Sequence, residues 1–273
     1  MDSGLPQEMF QYYDKGGEAG RLSGGAGELE RLRTQDLILR HLPPPPLLVL
    51  DVGGAAGVHA LWLAKRDYDV HLIDPVPGHV EQARAASDAQ PSHRLGSATT
   101  GDARELWHAD TSVDAVLILG PLYHLTERAD RMRALEEAYR VLRPGGVVFA
   151  AAISRFASMM SGLAIPDLLD DPDFVEIIRQ DLRDGQHRNP TEKRYFTTSF
   201  FHHPDELRAE MVAAGFADTK IAAVEGPAMW TGSFDADWAD AGKRALILEF
   251  LRTTEEEPTI IGSGSHFLGI AHR

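Results

Sequence analysis

The stretch Val49-Leu50-Asp51-Val52-Gly53-Gly54-Ala55-Ala56-Gly57 is an apolar run that ends in a carboxylate and breaks at once into a loop of small residues. The run predicts a buried strand. The glycines let the backbone turn tightly against a ligand, and Val58 to Lys65 predict a helix whose positive end faces the loop. That order suits a nucleotide-like ligand. Asp51 narrows the choice, because a carboxylate just before the turn repels a pyrophosphate and attracts a cationic group. A nicotinamide fingerprint counted from Gly53 would need glycines where Ala55 and Val58 stand.

The rest of the first half repeats this pattern. Val70-His71-Leu72-Ile73-Asp74 is a second apolar run ending in a carboxylate, 23 residues after Asp51, where an acid can accept the two hydroxyls of a ribose. Gly101-Asp102-Ala103 supplies a third acidic turn, and Val113 to Gly120 reads as a further strand. A helix is predicted from about Thr126 to Leu142, with Glu136 four residues before Arg140. Arg143-Pro144-Gly145-Gly146 ends it, since proline cannot continue a helix and glycine takes the left-handed turn; Val147 to Ala151 is the next strand. Strands alternating with helices predict a doubly wound α/β fold.

These motifs, in order over roughly Leu47 to Ala152, resemble those of the class I S-adenosylmethionine-dependent methyltransferases, the broad group that includes the ubiquinone and menaquinone biosynthesis methyltransferases. The resemblance implies a Rossmann-like, mostly parallel seven-stranded sheet with an antiparallel edge strand, built in part from Thr219 to Val224 and Ser265 to Ala271. It implies S-adenosylmethionine as cofactor and S-adenosylhomocysteine as product. Asp51, Gly53, Gly54, Ala55 and Gly57 correspond to the glycine loop, Asp74 with Pro75 to the ribose carboxylate, Asp102 and Ala103 to the adenine turn, and Leu119 to the end of the fourth strand. Ala55 departs from the many relatives with glycine at that place.

With 273 residues the chain is long enough for one large domain with a lid and an insertion. A net charge of −14 disfavours a nucleic-acid partner, since phosphates would be repelled. The absence of cysteine excludes disulfides and thiolate metal sites. No run approaches a membrane span, and a cytoplasmic protein is expected, with an oligomeric state that the residues do not disclose.

Three segments outside the cofactor core are expected to choose the acceptor. Residues 1–34 read as a lid, followed by a single domain over 35–273; Tyr12 would meet the acceptor, and the resemblance places Tyr13 over the donor and Arg21 at the methionine carboxylate. A helical cap insertion is predicted at about 154–203, rich in aromatic and methionine side chains. Phe156, Met160, Phe200 and His202 are its candidate substrate contacts, with no metal assigned to the adjacent histidines. Trp230, ahead of a helix predicted near Asp237 to Thr253, would complete an aromatic wall.

The turn Gly120-Pro121-Leu122-Tyr123-His124 lies beside the donor methyl in the family, so His124 is the candidate base and Tyr123 the group that orients the acceptor. The expected reaction is methyl transfer to an O, N or C atom of a small, apolar or aromatic metabolite in bacterial specialised (natural-product) metabolism. The rival is a non-catalytic S-adenosylmethionine-binding regulatory protein, which would keep Asp51, Gly53 and Asp74 but need no acceptor cavity.

Overall fold

In the computed structural model, residues 20–189 and 195–273 are described. Helix α1 spans Gly25–His41. The expected lid boundary at residue 34 falls inside it, because Leu29, Arg33, Leu37 and Ile38 of one continuous helix are buried against the domain. Strand β1 (Leu48–Val52), helix α2 (Val58–Ala64), strand β2 (Asp69–Asp74) and helix α3 (Pro77–Asp88) form the first βαβα run. Strands β3 (Ser97–Thr100) and β4 (Val113–Ile118) follow, then the single-turn α4 (Pro121–His124), helix α5 (Arg128–Val141) and strand β5 (Leu142–Ile153). Val113 pairs with Leu142 but Ala115 with Val147, so the Arg143–Gly146 turn is held as a bulge at the start of β5.

The cap follows. Helices α6 (Ala157–Ala164) and α7 (Pro172–Asp184) lead to the short antiparallel pair β6 (Gln186–His187) and β7 (Ser199–Phe200). Helix α7 has a clean start: the Asp171 carboxylate accepts the Asp173 N–H at 2.9 Å and Pro172 occupies the first turn. Phe174, Ile177 and Ile178 pack with Tyr195 as a small core of the cap's own.

The chain then returns through α8 (Pro204–Ala213), β8 (Ala217–Ala223), α9 (Phe234–Ala239), α10 (Ala241–Thr254) and β9 (His266–His272). The single helix expected near Asp237 to Thr253 is two, because the Asp240 carboxylate caps a new helix by accepting the Gly242 and Lys243 N–H groups at 2.9 Å each. The seven strands order as β3-β2-β1-β4-β5-β9-β8, and β9 runs antiparallel to both neighbours, so an antiparallel pair closes one edge. One face of the sheet packs on α5 and α8 through Leu135, Leu207 and Met211, the other on α1, α2 and α3 through Leu37, Leu63 and Val80.

A buried ion pair fixes α1 to the far end of the chain. The Arg33 guanidinium, 1% exposed, donates to Glu255 at 2.5 Å, and Arg40 donates to the same carboxylate at 2.7 Å. Removing that carboxylate leaves the buried Arg33 with only Asp36, at 2.9 Å, as counter-ion. Glu255→Ala is expected to lower unfolding stability by about 3–5 kcal/mol, read as a shifted denaturant midpoint at unchanged slope.

Candidate active site

The cleft opens at the carboxyl ends of β1, β2, β4 and β5, the place where open α/β sheets bind ligands. Strand β1 delivers Asp51, and the loop after it lays Gly53, Gly54 and Ala55 along the floor. The loop is pinned to β2: the Gly53 N–H donates to the Ile73 carbonyl at 2.7 Å, and the Ala55 N–H to Asp74 Oδ2 at 2.8 Å. Gly53 has φ 71, and a Cβ there would lie 2.6 Å from Pro121. A Cβ on Gly54 would lie 2.7 Å from Asp51 Oδ2, so this pair can be nothing larger. Ala55 sits at φ 47, in the left-handed region that glycine adopts more readily.

Asp74 and Pro75 line the next part of the cleft, followed by Asp102 and Ala103, then Leu119, Tyr123 and His124 after β4. Asp74 Oδ1 accepts the Val76 N–H at 2.9 Å and lies 3.1 Å from His79 Nδ1. Asp102 is bound by Arg104 at 2.7 Å; burial works to raise its carboxyl, but the side-chain and backbone hydrogen bonds from Arg104 and the nearby guanidinium charges together hold the group below the usual range. Of the expected donor contacts, Gly57 lies behind the cleft as the left-handed residue that starts α2, and Tyr13 falls outside the described residues, as does Tyr12.

Asp51 is different in kind. It is 1% exposed, its Oδ2 has no hydrogen-bond partner among the described residues, and burial together with the Asp74 charge pushes its carboxyl up to about 7. A buried, unsatisfied acceptor beside a second carboxylate fits an ammonium group. Asp51 would hold the amino group of S-adenosylmethionine, and Asp74 with the glycine loop its adenosyl part.

The wall opposite carries a cluster that no motif announced. Arg21 lines the cleft as expected, but its guanidinium is bidentate on Glu30, one bond measuring 2.9 Å. Glu30 neighbours His266 Nδ1 at 3.8 Å, and that imidazole lies 2.5 Å from the Glu225 carboxylate. Burial alone would depress His266, yet Glu30 and Glu225 outweigh it and raise it to about 9. Glu30, Glu225 and His266 are a group of three whose ligand-capable atoms lie within 4.8 Å of one another, and here a proton supplies the cation. His59, on the first turn of α2, lines the same wall and is pushed by burial to about 4, so it is neutral.

His124 is buried beside the ring of Tyr123, 4.7 Å between centroids, and burial drives it down to about 3. An imidazole so reluctant to charge is a poor proton acceptor at neutral pH, which weakens the expectation of a base there.

The five expected acceptor contacts lie elsewhere. Phe200 is buried under the Arg131 guanidinium at 3.7 Å, and His202, fully buried, meets Glu210 at 3.3 Å; Arg131 binds the same Glu210 at 2.8 Å. Phe156 meets the ring of His203 at 5.3 Å, Met160 is half-buried on α6, and the Trp230 indole donates to the Ser263 carbonyl at 2.6 Å. None of the five lines the cleft. Their aromatic and polar groups are engaged in joining the cap to α5 and α8 and in fixing the loop before α9.

The His266 arrangement makes stability depend on pH. With its folded value raised from 6.5 to about 9, its contribution is fully present below pH 6.5 and lost as pH rises through 9. Chemical denaturation between pH 6.5 and 10 is expected to show a loss of roughly 3 kcal/mol from this group, absent in His266→Gln.

Residues 49–146 match the family model described as a methyltransferase domain. An uncharacterized methyltransferase of Mycobacterium tuberculosis is 38% identical over 105 residues, which cover 38% of this chain and 39% of that protein, so the match spans about two fifths of the relative's length. A ubiquinone biosynthesis O-methyltransferase of Azorhizobium caulinodans is 28% identical over 199 residues, 69% of each chain. Among solved structures, an S-adenosylmethionine-dependent methyltransferase of Thermotoga maritima, described as a possible histamine N-methyltransferase, superposes with a TM-score of 0.58 at 16% identity, covering 97% of this chain and 98% of that one. Residues 49–146 thus carry a methyltransferase domain, with the glycine loop inside it, and over the rest of the chain the likeness is one of fold.

Proposed function

We propose that the protein transfers a methyl group to a small, largely apolar and aromatic metabolite in bacterial specialised metabolism. The observation that carries the donor half is Asp51, a buried carboxylate oxygen without a partner at the floor of the cleft. When bound, S-adenosylmethionine supplies an electrophilic methyl on a sulfonium. Asp51 holds the ammonium end, Asp74 the ribose, and the turn after β3 the adenine, which leaves the sulfonium facing Tyr123 and His124. There the protein's work is positioning and the exclusion of water. Tyr123 and His124 orient the acceptor, and the neutral imidazole avoids a second positive charge beside the sulfonium.

The acceptor half rests on charge and composition. A net charge of −14 disfavours a polyanionic acceptor, and the cap supplies Phe174, Phe196, Phe201 and Tyr195 around a cavity next to the cleft. Residues 1–19 precede the described part, so the lid belongs to this proposal as well.

Two measurements test it. Calorimetric titration with S-adenosylmethionine in buffers of different ionisation enthalpy near pH 6 is expected to show net proton release, because an ammonium beside Asp51 favours its carboxylate; Asp51→Asn is expected to abolish the release. Formation of S-adenosylhomocysteine is expected with simple phenols or indoles and not with bulk tRNA. Donor binding without turnover on any small aromatic would favour the regulatory reading, and turnover on tRNA would overturn the acceptor class.

A further inference from the structure

The cap contains a second cavity, bounded by Ser158, Ile165, Phe174, His187, Phe196 and Phe201 among others. Its walls are mostly apolar, and besides Ser161 and Tyr195 they carry one linked set of polar groups. The Ser158 hydroxyl donates to the Asp181 carboxylate, and His187 Nδ1 lies 3.0 Å from the same oxygen. All three side chains are buried: Ser158 is 6% exposed, His187 2% and Asp181 not at all. Because Asp181 is an acceptor, Nδ1 carries the proton and Nε2 is left with its lone pair. That Nε2 is buried and has no hydrogen-bond partner among the described residues. A ring of Phe201 stacked at 4.6 Å holds the imidazole plane.

The cavity abuts the methyl-transfer cleft. The Phe196 ring lies 6.3 Å from that of His187 on one side, and 5.8 Å and 6.2 Å from those of His124 and Tyr123 on the other. The Phe196 ring thus stands between His187 on the cap side and Tyr123 and His124 on the cleft side.

We propose that the cap cavity seats the acceptor and that the Asp181–His187 pair is the base of the reaction. The inference rests on the methyl-transfer reading above and deepens it. An apolar cavity with one unsatisfied acceptor selects a flat apolar molecule with one proton to give, a phenol or an N–H heteroaromatic. The acceptor oxygen or nitrogen forms the bond to the methyl carbon, the electron pair of the carbon–sulfur bond passes to sulfur, and the acceptor's proton passes to His187 Nε2. The sulfonium charge disappears as the imidazolium charge appears, and Asp181 stabilises the latter. His124, which resists protonation, then needs no part in the proton transfer.

The test uses 4-nitrophenol as a probe, added to the full-length protein saturated with S-adenosylhomocysteine, in a buffer acidic enough to keep the free phenol neutral. Binding with the appearance of the phenolate absorption band is expected for the wild type. His187→Gln is expected to lose that band while S-adenosylhomocysteine affinity stays unchanged, which also shows that the domain is folded. Ser161→Trp, which puts an indole on the cavity wall, is expected to lose probe binding altogether. A band that survives His187→Gln, or a wild type that binds S-adenosylhomocysteine but not the probe, overturns the proposal. A wild type that does not bind S-adenosylhomocysteine overturns the methyl-transfer reading itself.

Discussion

Two carboxylates lie side by side under the glycine loop, and the protein satisfies only one of them fully. Asp74 is engaged on both oxygens, by the Ala55 and Val76 N–H groups and by His79. Asp51 keeps a buried oxygen that has no hydrogen-bond partner among the described residues. The geometry around the pair follows from this juxtaposition. Only glycine fits at position 54 against Asp51, and the loop takes its shape from the bonds to β2. A site that holds an unfavourable buried acid in reserve spends part of its stability on affinity for a cation.

What the chain discloses in advance is what is local. The glycine loop, the acid at the end of β2, the Pro-Gly-Gly turn and the order of strands all lie within short windows, and each appears in the structure where its pattern places it. The Glu30, Glu225 and His266 cluster joins α1, the end of β8 and the start of β9, and no window contains two of its members. Phe200 and His202 show the limit of composition as a guide. Aromatic and imidazole groups in an insertion are equally suited to a cavity or to a hinge, and only the buried Arg131–Glu210 pair beneath them decides that they belong to a hinge. Phe174, Ile177, Ile178 and Asp181 form one helical stripe, and an acid on an otherwise apolar stripe announces a buried carboxylate with a partner.

The cap and the domain under it are bonded in different ways. The sheet is held by continuous ladders with apolar layers on both faces, whereas the cap stands on a two-residue strand pair, a small core and side-chain ion pairs such as Arg155 with Glu206 at 2.7 Å. Fewer apolar contacts mean a lower cost of local opening in the cap than in the sheet.

Strand β9 sits between β5 and β8, and it carries His266 into the cleft. Glu30, its neighbour there, lies on α1, so this wall closes only when segments more than two hundred positions apart have met. During synthesis the first five strands can emerge and pair while the interior position of the sheet beside β5 is still vacant. A chain still short of β9 therefore presents an open, apolar strand edge, and the His266 wall of the cleft arrives together with the completion of the sheet.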